Sequence, residues 1–243
     1  MNVSEPIGTS VYSKVRKRRN SLVIPVLKSG DILVNEPNRM DGLNLLGKIH
    51  NDVITACFFD PQYRGIMDKM KYGNEGERQK ERAELQQMTE ETIKSFIDEI
   101  NRVITESGHL FLWIDKFHLC TGITDWIKDT SLSIVDLITW DKGKIGMGYR
   151  TRRKSEYLLI LQKKPLKAKG HWTRHDIPDV WTEKISDKKH PHQKPLLLQK
   201  SLIEAVSSPE DYILDPCAGS YSVMKACKEM SRNFIGGDLK SVI

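Results

Sequence analysis

The chain has 243 residues, 39% of them hydrophobic and 29% charged, which allows a sizeable core and excludes disorder as the main state. No apolar run approaches the roughly 18 residues of a membrane span, and the first ten residues lack the apolar stretch of a secretory signal. Four cysteines at 57, 120, 217 and 227 form no CxxC pair, which argues against a disulfide scaffold or zinc ribbon and fits a reducing, cytoplasmic setting.

The formal charge is +6, and the excess is clustered. Lys14, Arg16, Lys17, Arg18 and Arg19 form one knot. Arg150, Arg152, Arg153 and Lys154 form a second, and Lys163, Lys164, Lys167 and Lys169 a third. Contacts from Lys and Arg release counterions from a polyphosphate, so three clusters in one modest domain point to nucleic acid. Residues 1–30 read as a basic, mobile segment ahead of a domain spanning 31–243.

In chain order, residues 31–34 are a short strand candidate, and Leu43, Leu45, Leu46 and Ile49 line a short helix. Residues 53–59 form an apolar run of strand length, read as a buried parallel strand that stops at Asp60 and Pro61. Residues 64–88 turn polar and read as a mobile loop of lid type. Thr89 is a helix N-cap followed by Glu90 and Glu91. Ile93, Phe96, Ile97, Ile100, Val103 and Ile104 keep helical spacing up to Gly108, read as the stop. A strand over 109–114, a helix around 121–128 and a strand over 133–140 follow. Gly143, Gly146 and Gly148 mark an irregular loop, and 157–161 is another buried strand. Residues 165–189 have no clean period and read as an insertion outside the core. A helix starts near Pro195 with Leu198, Leu202, Ile203 and Val206 on its apolar side. A strand over 211–214, a glycine turn, a helix from about Ser222 and a strand over 234–236 complete the chain. This strand–helix alternation implies an α/β fold with a mostly parallel sheet, whose ligands bind beyond the carboxyl ends of the strands.

Two such ends carry unusual chemistry. Asp215, Pro216, Cys217, Ala218, Gly219, Ser220, Tyr221 and Ser222 join a strand to a helix, and Gly219 lets the backbone approach a ligand. Asp238 follows the next strand, where a carboxylate can bind ribose hydroxyls. The turn lacks the GK[ST] of a phosphate loop, so it suits a nucleoside; an ordinary tight turn is the alternative. At the other end, Asp60, Pro61, Gln62 and Tyr63 join a carboxylate, a fixed carbonyl and an aromatic ring. That set can hold the exocyclic amine of a nucleobase and stack on its ring, although four residues alone also describe a plain capped turn.

Together these segments resemble motifs of the β-class amino-methyltransferases of DNA. The tetrad 60–63 is similar to their DPPY motif and 215–222 to their DPFxGSGT motif. Residues 190–195 resemble HPTQKP, 234–238 FIGIE, and 155–159 the strand carrying EYIL. The catalytic motif precedes the cofactor motif, the order of that class, and the resemblance spans roughly 31–240. It implies a Rossmann-like class I methyltransferase fold with a seven-stranded, mostly parallel sheet and circularly permuted motif order. It also implies S-adenosylmethionine as cofactor, no metal, and duplex DNA as partner, and leaves room for a homodimer and a cognate restriction nuclease.

Residue by residue, the resemblance gives catalysis to Asp60, Pro61, Gln62 and Tyr63. Cofactor binding falls to Phe59, Lys194, Asp215, Pro216, Cys217, Ala218, Gly219, Ser220 and Asp238. DNA phosphate contacts are expected from Arg150, Arg152, Arg153 and Lys154. Asp at position 60 resembles the adenine-specific subset, so N6 methylation of a flipped adenine is the expected reaction. N4-cytosine, an RNA substrate, and a catalytically silent binding module stand as alternatives. Gln62 replaces the second proline of DPPY, Cys217 replaces Phe, and Tyr221 replaces the second glycine, which predicts a reshaped cofactor pocket. Residues 165–189 occupy the target-recognition position and are short, which suggests a short site or a partner's help.

Overall fold

The computed structural model describes residues 25–28, 30–62, 87–146, 150–186 and 193–239. The N-terminal basic knot, Tyr63, nearly all of the 64–88 loop and residues 190–192 of the HPTQKP-like segment lie outside them.

The described strands are β1 (Ile54–Phe59), β2 (Ile104–Ile114), β3 (Leu132–Asp141), β4 (Ser155–Lys163), β5 (Val180–Thr182), β6 (Tyr212–Asp215) and β7 (Asn233–Gly236). They form one sheet in the order β5-β3-β4-β2-β1-β6-β7. β4 runs antiparallel to both neighbours, and the other six share one direction. The fold is thus the mostly parallel α/β sheet that the alternation predicts.

The described helices are α1 (Gly42–Gly47), α2 (Glu90–Val103), α3 (Lys116–Thr121), α4 (Thr124–Ile127), α5 (Leu196–Val206) and α6 (Ser222–Glu229). Thr89 caps α2 by accepting the Thr92 amide at 3.2 Å, and Ile93, Phe96, Ile97, Ile100 and Val103 are all buried. Successive side chains of a strand point to opposite faces, so two cores form. Cys57 and Phe59 pack with α1 and α2, whereas Ala56 and Phe58 pack with α5 and α6. β1 is buried along its whole length, as expected of a strand covered on both faces.

Several expectations need correction. Residues 31–34 form bends rather than a strand. Asn38 takes the place of a strand partner: its Oδ1 accepts the Leu33 amide at 2.8 Å, and its Nδ2 donates to the Leu33 carbonyl at 2.9 Å. Gly108 does not end α2, which stops at Val103; it lies inside β2. The register jumps from Ile54 opposite Ile104 to Ala56 opposite His109, and Ser107 is left-handed at φ 59°. A Cβ on Gly108 would sit 2.6 Å from Ile104 Cγ2 and 2.8 Å from the Thr55 carbonyl, so the bulge requires glycine. The helix expected around 121–128 is split into α3 and α4 about Gly122. The 165–189 insertion is not outside the core, since it supplies β5 beside β3 and packs Trp172, Ile177, Trp181 and Ile185 on the second core.

Tyr221 departs furthest from expectation. It is 4% exposed, packs edge-on to Phe234 and donates from its hydroxyl to the Asn38 carbonyl at 3.3 Å. The ring belongs to the second core and does not reshape the pocket. Its backbone is left-handed at φ 53°, a conformation glycine adopts freely, which accounts for glycine at this point of the motif. Replacing Tyr221 with Gly relieves about 1 kcal/mol of backbone strain but forfeits about 3 kcal/mol of ring burial. A thermal melt should therefore show a net fall in Tm of several degrees; a rise would mean that strain outweighs packing.

Candidate active site

β1 and β6 are adjacent and parallel, and the chain leaves them toward opposite sides of the sheet, to β2 and to β7. The crevice beyond their carboxyl ends is the switch point at which open α/β sheets bind ligands. Asp60 follows β1, and Asp215 ends β6.

At the β6 end, hydrogen bonds lace the turn to β7. Asp215 Oδ1 accepts the Cys217 amide at 3.2 Å, and Asp238 Oδ2 accepts the Gly219 amide at 3.1 Å. The Gly237 carbonyl accepts the Ala218 amide at 3.0 Å, and the Asn38 carbonyl accepts the Asp238 amide at 3.1 Å. Gly219 turns the chain at φ 47°. At the β1 end, the Gln62 carbonyl accepts the Met88 amide at 2.8 Å and so returns the chain to the rim.

Phe59, Asp60 and Gln62 face one pocket together with Lys194, Asp215, Cys217, Ala218, Gly219, Ser220 and Asp238. Ten residues singled out from sequence therefore meet. Pro61 and Pro216 follow Asp60 and Asp215 in the chain but do not line the pocket, and Tyr63 lies outside the described residues. Sequence reasoning missed Trp113 and Gln199, which also line it. A glutamine among the apolar positions of α5 was the available signal for Gln199; Trp113 reads as ordinary strand core.

Lys194 lines the pocket and is held there by two carboxylates. Its ammonium lies 2.9 Å from Asp60 Oδ2, 2.9 Å from Glu156 Oε2 and 4.7 Å from the centre of the Trp113 ring. Burial opposes its charge, but the Asp60 and Glu156 carboxylates outweigh that and hold its pKa above the usual lysine value. Glu156 accepts a second ammonium, Lys142 at 2.7 Å. Burial would raise its pKa, yet Lys194 and Lys142 hold it well below the carboxylate range.

The remaining balance is negative. Asp60, Asp215 and Asp238 face a pocket whose one lining ammonium among the described residues, that of Lys194, is shared with Glu156. Burial first, then the fields of Asp60 and Asp238, push Asp215 up to about 8 against the Cys217 amide bond and Lys194. Gln199 is 2% exposed, and its Oε1 has no hydrogen-bond partner among the described residues. An orphaned acceptor beside surplus carboxylates fits a ligand that brings donors and positive charge. S-adenosylmethionine, with an ammonium and a sulfonium, has that character.

Arg150, Arg152, Arg153 and Lys154 sit on the connection between β3 and β4, at the carboxyl edge that carries the pocket. Arg152 Nε donates to the Gly146 carbonyl at 2.7 Å, and Lys154 pairs with Asp141 at 2.7 Å.

Comparison with known proteins agrees with this geometry. Residues 54–243 match the family described as DNA methylase. The chain is 57% identical over 208 residues to the Type II methyltransferase M.HhaII of Haemophilus parahaemolyticus, covering 85% of this chain and 91% of that one. It is 27% identical over 250 residues to M2.DpnII of Streptococcus pneumoniae, covering 87% and 90%. Two solved structures share the fold. The M1.HpyAVI–SAM complex has a TM-score of 0.61 at 20% identity, covering 85% of this chain and 94% of that one. The cytosine-N4-specific PvuII DNA methyltransferase has a TM-score of 0.63 at 16% identity, covering 83% and 80%.

Proposed function

Because this chain belongs to the DNA methylase family, we propose that it transfers a methyl group from S-adenosylmethionine to the N6 amino group of a flipped adenine in DNA. The observation that carries the reading is the meeting of Asp60 and the Asp215–Asp238 turn in one pocket at the switch point. When bound, S-adenosylmethionine supplies an electrophilic methyl group on a cationic sulfur.

The chain's own residues do the rest. An exocyclic amino nitrogen is a weak nucleophile because its lone pair is delocalised into the ring. Asp60 accepts one of its hydrogens, the family resemblance gives the other to the Pro61 carbonyl, and the pair holds it toward tetrahedral geometry with the lone pair aimed at the cofactor side of the pocket. The surplus proton leaves through the Asp60 carboxylate. The family resemblance gives the stacking role to Tyr63. Asp238, tied to Gly219, takes the ribose hydroxyls, while Asp215 and Gln199 face the amino-acid end. Arg150, Arg152 and Arg153 meet DNA phosphates, which predicts a salt-dependent affinity.

Asp rather than Ser at position 60 supports adenine, with N4-cytosine as the competing product. The Type II relatives support a restriction–modification role with a cognate nuclease, and the family resemblance supports a homodimer. No helix among the described residues is long and apolar enough to cross a membrane.

Nucleoside mass spectrometry of unmethylated duplex DNA treated with the protein and S-adenosylmethionine tests the reading. N6-methyladenine supports it, N4-methylcytosine corrects the base, and no methylated base with cofactor bound refutes it. Replacing Asp238 with Ala should weaken cofactor binding about 30-fold, the loss of charge-assisted bonds to ribose. Calorimetry that returns an unchanged Kd would place the ribose elsewhere.

A further inference from the structure

Beyond the pocket wall, four charged side chains of alternating sign run in a line from the β3–β4 connection to the reacting centre. Lys142 contacts Glu156 at 2.7 Å, Glu156 contacts Lys194 at 2.9 Å, and Lys194 contacts Asp60 at 2.9 Å. Trp113 forms a wall beneath Lys194, and Lys142 lies 5.7 Å from the centre of the Trp140 ring. Lys194 is 13% exposed at its side chain, so these interactions are weakly screened. Glu156 is not among the described residues that line the pocket, and its contact with Asp60 runs through Lys194.

We propose that Glu156 is a positioning residue for methyl transfer, dividing the Lys194 ammonium between itself and Asp60 so that Asp60 stays ionised yet remains a strong hydrogen-bond acceptor. This rests on the reading of Asp60 as the group that holds the target amine. An ammonium given wholly to Asp60 would draw in its lone pairs and weaken the hold on the substrate amine. With two carboxylates to serve, Lys194 anchors Asp60 at one oxygen without claiming it fully. Among the described residues, the other charged groups that line the pocket with Asp60 and Lys194 are Asp215 from β6 and Asp238 beyond β7, both carboxylates. Neither can replace Glu156, because neither contacts Lys194 in an ion pair.

A charge line makes a signed prediction that simple structural support does not. Glu156→Gln frees Lys194 to serve Asp60 alone, which lowers the apparent pKa on the acid limb of the single-turnover rate. Lys142→Met leaves Glu156 to Lys194 alone, which draws the ammonium's field from Asp60 and raises that pKa. Rates are measured with saturating S-adenosylmethionine and duplex DNA, so that Asp215 ionisation linked to cofactor binding does not contribute.

For Glu156→Gln, the expected result is an acid limb displaced down by about half a pH unit and a plateau rate about tenfold lower. The Kd for S-adenosylmethionine should change by less than about twofold. For Lys142→Met, the limb should move up. Wild-type limbs in both variants, or displacements of the same sign, would overturn the proposal. If Glu156→Gln does not fold, the Lys142→Met limb decides alone: upward movement supports the line and none overturns it. Asp60→Ala is run in parallel. Methylation retained in that variant sinks the reading of Asp60 itself, whereas its loss beside a wild-type Glu156→Gln sinks only the role of Glu156.

Discussion

Replacing Asp60 with alanine is expected to lower methyl transfer about 10³-fold while leaving the Kd for S-adenosylmethionine within about threefold of wild type. The rate loss follows from position. Asp60 is the first residue beyond β1, fixed by a strand buried along its length and by the Lys194 ion pair, so its carboxylate is aimed before substrate arrives. Alanine keeps the turn but removes the acceptor that orients the amine. The fold should tolerate the change, because Lys194 keeps Glu156 as a partner and no buried ammonium is orphaned. Cofactor affinity should move little because two effects oppose. The pocket loses one negative charge that attracts a cation, while Asp215 loses a neighbour that keeps it protonated. Single-turnover methylation and calorimetry separate the two quantities. A variant that binds cofactor and methylates at the wild-type rate would show that another group holds the amine.

The sequence was most informative where local chemistry and topology agree. The run at 53–59 could be read as a buried parallel strand because both faces of β1 are apolar, and its end at Asp60 is set by a proline. The Thr89 cap and the spacing from Ile93 to Val103 located α2 because capping and amphipathicity are local properties. What stayed hidden depends on long-range contacts. Asn38 looks like a loop residue in sequence, but it pins residues 31–38 to the end of β7 and holds the Asp238 amide. Gly108 looks like a helix stop, because nothing local reveals that β2 carries a bulge against Thr55. Lys194 stands just ahead of α5, where a cation opposes the helix dipole. Glu156 and Asp60, 38 and 134 residues away in sequence, supply the charge that makes it stable. Tyr221 looked like a pocket residue because its neighbours are, yet its left-handed backbone turns the ring into the core.

The Asp215 carboxyl is expected to make both cofactor affinity and stability depend on pH, with opposite signs. Burial and the neighbouring carboxylates push it up to about 8, whereas in the unfolded chain it titrates near the ordinary Asp value of 3.8. Between those values the folded protein holds a proton that the unfolded chain has released. Its contribution to stability is therefore fully present below the unfolded pKa and is lost as pH rises toward 8. A bound ammonium beside Asp215 reverses the preference, because the ionised carboxylate then gains a partner and its pKa falls. Binding thus releases a proton below pH 8, and affinity should rise about twentyfold between pH 6.5 and 8.5. Calorimetry in buffers of different ionisation enthalpy should count close to one proton released at pH 7. Asp215→Asn removes the titrating group and keeps the shape. It should abolish the pH dependence and weaken binding about tenfold at pH 8.5. It should also raise the Tm of the cofactor-free protein at that pH, since no buried carboxylate need ionise there. A wild-type Kd that does not change with pH would place the cofactor's positive charge away from Asp215, and the pocket's surplus of carboxylates would then need another cation to explain it.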